Sequence, residues 1–314
     1  MAGAINWDLN LFVERFPRSG EEVVVSQVSR VPGGKGANVA VAAARLLGSK
    51  QAAIIGGLGN DAIGKQHVEI FEKEGVLTSG IKFFEGSESG QAYIVIDQHG
   101  ENMIHTHRGA NSAIGPEDLE DPERRELISQ AKIVTIMDPP LEIAVKLAEE
   151  AKRFSKLIAY DPGVRSQLGL EGLRSILTNV DYILPNESEI SNLTGTDDAD
   201  LAAVRLRKEN PQLKVVIKLG AKGCIMFGAS ERIRSEALDL HSIGMKALNT
   251  VGCGDAFLGA FVSALSEGLS DTEALRWGSC GAGLKATRPE TRGSPGRSML
   301  LKHLDKVKVR SEVS

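Results

Sequence analysis

Hydrophobic positions along this chain fall into two kinds of run that alternate. Short, almost wholly apolar runs at 52–55, 133–137, 157–160, 182–184, 215–217 and 224–227 have the length and composition of buried strands. Between and around them, 38–47, 63–74, 141–154, 187–193, 200–209, 255–266 and 272–286 carry apolar residues at helical spacing. Strands alternating with helices predict an α/β fold, with a mainly parallel central sheet covered on both faces. One stretch breaks the rhythm. Residues 91–97 alternate, Gln98-His99-Gly100 makes a turn, and 102–107 alternate again, which is a β-hairpin. Residues 21–31 are also strand-like, with Val23, Val24, Val25 and Val28. The two pieces are expected to pair into a small sheet that forms a lid. No repeat, low-complexity tract or linker interrupts the chain, so one domain over 1–314 is predicted, its lid contributed by about 10–32 and 89–108. The opening is unusual, because only residues 1–5 precede polar Asn6. Either the first strand is short or the true start lies upstream of Met1.

Composition narrows the function classes. The 37 Lys and Arg against 41 Asp and Glu give a net charge of −4 with no long basic run, which speaks against a nucleic-acid coat. No apolar run approaches the length of a membrane span, and the first 25 residues show no secretory pattern. Three scattered cysteines, Cys224, Cys253 and Cys280, suit neither a disulfide framework nor a zinc site, so a reduced, cytoplasmic protein is expected. The 34 glycines, clustered between apolar segments, suggest backbone brought close to a ligand.

Three glycine clusters differ in weight. Gly59 to Lys65 matches G-x-x-x-x-G-K, but Gln66 stands where a phosphate loop needs Ser or Thr, and Asp61 reads as a helix N-cap. In Asn249-Thr250-Val251-Gly252-Cys253-Gly254-Asp255, a glycine loop runs directly into an apolar helix. The N–H groups of Gly252, Cys253 and Gly254 would face an anion at the helix's positive end. Asp255 is then either a cap or a general base beside that anion. Cys253 has no histidine beside it in sequence and reads as a small filler. Gly33-Gly34-Lys35-Gly36-Ala37-Asn38 opens an earlier helix, where Asn38 offers a donor and an acceptor to a hydroxyl.

The two clusters together, more than two hundred residues apart, resemble the two signatures of the ribokinase-like (PfkB) family of carbohydrate kinases. Leu184-Pro185-Asn186-Glu187-Ser188-Glu189 resembles the family's N-x-x-E element, and Lys218-Leu219-Gly220-Ala221-Lys222-Gly223 its nucleotide loop. Asn6-Trp7-Asp8 is similar to its sugar-binding N-x-D strand end. The likeness runs from residue 3 to about 288 and implies a ribokinase-like three-layer fold. It also implies a kinase moving the γ-phosphoryl of a nucleotide, ATP by preference, to a primary hydroxyl of ribose or a related sugar. Asp255 matches the base, and Gly252, Cys253 and Gly254 the anion hole. Asn6, Asp8, Gly34, Lys35 and Asn38 match positions that hold sugar hydroxyls, and Asp138 falls where a member of the family carries a glutamate to the sugar. Asn186, Lys218, Gly220, Gly223 and Thr250 match the nucleotide side, and Glu189 a Mg²⁺ held through water. Lys218 replaces the usual threonine, so its charge either touches nucleotide phosphates or marks a solvated strand end.

Two departures from the family pattern stand out. Asn249 replaces the acid of a monovalent-cation site, and Thr287-Arg288-Pro289-Glu290-Thr291-Arg292-Gly293-Ser294 replaces its Gly-Ala turn, which argues against K⁺ dependence. At the hairpin exit, Arg108 replaces a small residue. It is either a substrate contact favouring an anionic sugar or a partner of a protein acid such as Glu101. His105 and His107 share one strand face and could line the site, though they lack a third metal ligand. Nucleoside, ribose-phosphate and acidic-sugar kinases of the family, and a non-catalytic sugar sensor, are the alternative readings. Lid sheets in this family often pair between subunits, so a homodimer through the lid joins sugar and nucleotide among the expected partners.

Overall fold

Successive side chains of a strand point to opposite faces, and in this protein both faces of the main sheet are apolar. Val134, Ile136, Ile158, Tyr160, Ile183 and Val215 enter one core together with residues of the helices Leu141–Arg153, Gly169–Leu177 and Ala199–Glu209. Met137, Ala159, Tyr182, Val216 and Met226 enter a second core with the helices Cys253–Ser266 and Asp271–Ala286. The continuous apolar runs of the sequence follow from this two-sided burial. The structure, a computed structural model, describes residues 1–313.

The sheet has eight strands in the order Ala2–Gly3, Ile133–Met137, Leu157–Asp161, Tyr182–Ile183, Lys214–Lys218, Cys224–Phe227, Glu231–Ser235 and Val309–Val313. The first five are parallel, and the last three each join antiparallel. All seven predicted helices form, with ends shifted by up to three residues. Three helices are not expected from the sequence: Pro122–Gln130, which has little apolar periodicity, the seven-residue Arg297–His303, and Gly169–Leu177, whose apolar face is interrupted by Gly169 and Gly172. The last two sheet strands have too few apolar residues. The first strand of the sheet is short. It is two residues long, and a cavity of about 500 Å³ lined by Met1, Ala52, Ala53, Ile133 and Thr135 lies beside it. Among the described residues no helix is long and apolar enough to cross a membrane.

The lid is a separate four-stranded sheet in the order Val25–Gly33, Asn6–Val13, Gly90–Ile96 and Asn102–His107. The hairpin forms as predicted, with Ile94 opposite Ile104. It does not pair with the 21–31 segment. Asn6–Val13 lies between them, antiparallel to one and parallel to the other. The signal was present in the sequence: Asn6, Asp8 and Asn10 alternate with Trp7, Leu9 and Leu11, the pattern of a half-buried strand. Asp8, Ala92 and Thr106 share a register and therefore a face, which puts His105 and His107 on the opposite face, where both are exposed. The two histidines do not line the site.

One helix contact decides how the two glycine loops meet. The helix Lys35–Leu47 packs against Cys253–Ser266, and a β-carbon on Gly259 would lie 2.5 Å from that of Ala42 and 3.3 Å from the Val39 carbonyl oxygen. Gly259→Ala adds about 1 kcal/mol of helix propensity but forces the helices apart, an overpacking cost of about 1–3 kcal/mol. We therefore expect a net loss of stability in chemical denaturation, largely recovered when Ala42→Gly is added. A stabilised single variant would show that the contact is not tight.

Candidate active site

Three side chains singled out in the sequence, Asp138, Asn186 and Lys218, gather with Asp161 at the carboxyl ends of the parallel strands, where ligands of open α/β sheets bind. Asp138 follows Met137, Asp161 ends its strand, Asn186 follows Tyr182–Ile183 by three residues, and Lys218 ends the fifth strand. Asn186 and Lys218 form a parallel bridge, and the Lys218 N–H donates to the Pro185 carbonyl at 2.9 Å.

Each glycine loop needs glycine for a local reason. Gly34 has φ +89°, and a β-carbon there would lie 2.5 Å from the Ala4 carbonyl oxygen and from the Asn6 nitrogen. The loop therefore lies against the N-x-D strand end and starts its helix at Lys35. Gly252 has φ +83°, and its β-carbon would lie 2.3 Å from the Thr291 carbonyl oxygen. Gly252 is the N-cap of Cys253–Ser266, and the Cys253 N–H donates to the Thr250 carbonyl at 3.1 Å. Cys253 thus supplies no free amide, contrary to expectation. The first-turn N–H groups that follow it, on Gly254 and Asp255, have no acceptor within the helix, as at any helix start.

Asp255 stands in that first turn without acting as its cap. Its Oδ2 accepts the Asn38 Nδ2–H at 2.8 Å, across 217 residues of sequence. Desolvation pushes its carboxyl above the ordinary value, opposed by Lys35 and by the Asn38 hydrogen bond. Cys253 is half-buried with its thiol pushed up by desolvation, which suits a filler and not a nucleophile.

A charged chain runs beside Asp255. Lys35 Nζ lies 3.2 Å from Asp161 Oδ1 and 3.5 Å from Glu189 Oε1, and Lys218 Nζ lies 2.6 Å from Asp161 Oδ2. Burial alone would raise the Asp161 carboxyl, but the two ammonium groups hold it well below its usual range. A β-carbon on Gly254 would sit 3.8 Å from Lys218 Nζ, so this ammonium overlooks the Gly252–Gly254 loop, and its side chain is largely buried, not solvated. Glu189 Oε2 accepts the Asn186 N–H and Asn186 Oδ1 the Glu189 N–H, a reciprocal cap that leaves Oε1 toward Lys35. Gly220, exposed, and Gly223, half-buried, bound a turn after Lys218, and Thr250 is exposed at the start of its loop.

Opposite these groups, Asp138 has φ +60°, a strained conformation for a non-glycine residue, and its buried Oδ1 has no hydrogen-bond donor. Arg108 Nη2 approaches that oxygen to 3.7 Å and does not pair with Glu101. Asn6 is oriented by Asn111, whose Nδ2 donates to Asn6 Oδ1 at 2.9 Å while its Oδ1 accepts the Ile5 N–H. The phosphate-loop look-alike is structural, with Asp61 accepting the Gly64 and Ser89 N–H groups.

Residues 1–296 match the sequence profile described as pfkB family carbohydrate kinase. The chain belongs to that family. The ribokinase of Haemophilus influenzae is 32% identical over 308 residues, covering 96% of this chain and 97% of that protein. An ATP-dependent ribose-1-phosphate kinase of Halopiger xanaduensis is 29% identical, over 94% and 93% of the two chains. The structure of Arabidopsis thaliana ribokinase complexed with ribose and ATP superimposes with a TM-score of 0.86 at 28% identity, over 96% and 97%. The three-layer fold expected from the sequence is thereby shown, as is the enzyme class, a phosphotransferase with an alcohol acceptor.

Sequence reading of this carbohydrate kinase missed Asp161, Asn111 and Arg292. Asp161 had a signal, an acid closing an apolar strand before Pro162-Gly163. Asn111 and Arg292 act through partners 105 and 254 residues away, which no local pattern reports. The geometry also carries a stability cost. Burial raises the Asp8 carboxyl to about 7, against Arg292 and aided by Asp255. The folded protein therefore keeps a proton that the unfolded chain releases near its usual value, so this group lowers stability as pH rises from about 4 to 7. Asp8→Asn should match wild type near pH 4 and exceed it by about 4 kcal/mol at pH 8 in denaturant unfolding of the ligand-free protein. A difference independent of pH would show that Asp8 is ionised without cost.

Proposed function

We propose that this carbohydrate kinase transfers the γ-phosphoryl of ATP to a primary hydroxyl of ribose, with Asp255 as general base. The observation that carries the reading is Asp255 itself, desolvated above the start of its helix and hydrogen-bonded by Asn38 of the other glycine loop. An intact base, anion hole and paired lysines also speak against a non-catalytic sensor.

Asn6, Asp8, Gly34, Asn38 and Asp138 are the groups we assign to the sugar. The strained Asp138 offers an unfilled acceptor to a hydroxyl. Asp255 Oδ1 takes the hydroxyl proton as the new O–P bond forms and the bond from γ-phosphorus to the β-bridging oxygen breaks, leaving ADP. The Gly254 and Asp255 N–H groups, with Lys218 and Lys35, stabilise charge on the transferring group. Gly220, Gly223 and Thr250 flank the nucleotide. Mg²⁺ keeps several waters and uses one or two carboxylates with substrate phosphates, so Glu189, with Oε1 outside its cap, fits an outer hold. When bound, Mg²⁺ supplies neutralisation of the β- and γ-phosphate oxygens. Closure of the lid would exclude water, the competing acceptor.

Arg108 lies beside Asp138, so the two charges offset each other at the sugar side. This favours a neutral sugar over a phosphorylated or acidic one. Val28, Tyr93 and Met103 are exposed apolar residues of the lid, and we place a homodimer contact there.

In a coupled assay with ATP and Mg²⁺, kcat/KM for ribose should exceed that for ribose 1-phosphate, a 2-keto-3-deoxy sugar acid and nucleosides at least tenfold. Asp255→Asn should lower kcat about 10²–10⁴-fold with nucleotide binding retained. Preference for an anionic sugar would overturn the ribose assignment, and wild-type turnover in a folded Asp255→Asn protein would overturn the mechanism.

Potassium has no part in this reading. Asn249 Oδ1 accepts the Val251 N–H, its Nδ2 donates to the Pro289 carbonyl, and its own carbonyl accepts the buried Lys285 ammonium at 2.9 Å. Initial rates in potassium, sodium and a bulky organic cation at equal ionic strength should agree within about threefold. Tenfold activation by potassium alone would contradict the arrangement.

A further inference from the structure

The segment that replaces the family's Gly-Ala turn sends one side chain back into the site. Arg292 is buried, its Nε donates to Asn38 Oδ1 at 3.0 Å, and its Nη2 donates to the Gly33 carbonyl at 2.9 Å. Its guanidinium also lies 5.7 Å from the centre of the Phe71 ring. The segment is anchored in turn. Arg45, paired with Glu74, donates to the carbonyls of Arg292 and Ser294, each at 2.9 Å, and Arg288 donates to the Ser294 carbonyl.

An asparagine amide is nearly symmetric in shape, and its two ends are opposite in hydrogen-bonding sense. A guanidinium can only donate, so Arg292 compels the Asn38 oxygen to face it. The Asn38 NH₂ must then face Asp255, where it donates to Oδ2 at 2.8 Å. With the amide reversed, an oxygen would meet the carboxylate and an NH₂ would meet the guanidinium, two repulsive contacts in a desolvated site.

We propose that Arg292 is a positioning residue that locks the Asn38 amide, so that Asp255 Oδ2 is held by an N–H and Oδ1 is left to receive the substrate proton. This rests on the assignment of Asp255 as base. It explains why an arginine is buried with its Nη1 unpartnered and its pKa pulled down to about 10 by burial: the position is held for the amide, at a cost in desolvation. Asp8, Glu74, Arg45, His67 and Asp255 are the titratable groups that act on Arg292, and Lys35, Asp161, Lys218, Lys285, Asp8, Cys253 and Arg292 itself are those that interact with Asp255.

The test is a double-mutant cycle on the full chain, combining Arg292→Met with Asn38→Ala at saturating ATP, and the pH profile of kcat/KM. Arg292→Met should lower kcat at least tenfold and move the acid limb of the profile upward. In the Asn38→Ala background the same substitution should cost at least threefold less. An Arg292→Met factor unchanged within threefold between the two backgrounds, or an unmoved profile, overturns the proposal. Arg292→Lys keeps the charge but cannot reach both acceptors as a fork, so it should give the same coupling and serves if the methionine variant does not fold. Failure of the base assignment is seen separately, as turnover retained by Asp255→Asn. An inactive Asp255→Asn protein with an uncoupled cycle sinks only the role of Arg292.

Discussion

The hydrogen bond from Asn38 to Asp255 closes the molecule on itself. One partner stands in the first turn of the helix that follows the N-terminal glycine loop, the other in the first turn of a helix more than two hundred residues later. For the two to meet, both helices must start at the same end of the sheet and cross closely, and the crossing is permitted by Gly259 lying bare against Ala42. Much of the fold can be understood as what holds those two helix starts together. The parallel sheet sets their common end, the Gly34 turn brings the Asn6 strand end alongside, and the Gly252 turn brings Thr291 alongside.

Charge in the site is arranged for a reaction that moves negative charge and does little covalent work with protein groups. Asp161 is bound between two lysines and stays ionised, so it balances Lys35 and Lys218 while no nucleotide is present. Phosphates arriving at Gly254 would meet ammonium groups already placed, without the reorganisation that free side chains require. Asp8 and Asp255 are pushed the other way, toward the neutral form, by desolvation. Both kinds of strain, together with the left-handed backbone of Asp138, cluster where ligands would bind.

The lid is built differently from the body. Its hairpin arm, Asn102–His107, is exposed along its whole length, and its contact with the site runs through the Asn6–Val13 strand that carries Asp8. A sheet with two open edges, Val25–Gly33 and Asn102–His107, and several exposed apolar side chains suits an element that moves or is covered by a partner.

The sequence alone determined the α/β class, the main helices, the hairpin and the two glycine loops, because periodicity and glycine placement are local properties that a chain displays residue by residue. The motifs at Asp255, Asn38, Lys35 and Lys218 were legible for the same reason, each lying at a glycine turn or a strand end. Tertiary structure alone decided the partners. That Lys218 meets Asp161, that Arg108 meets Asp138 and not Glu101, and that Arg292 reaches Asn38 are outcomes of long-range packing. The order of the lid strands belongs with them, since alternation shows which residues share a face but not which strand lies next to which. A side chain's charge is written in the sequence; which neighbour answers it depends on where the whole sheet brings its strand ends.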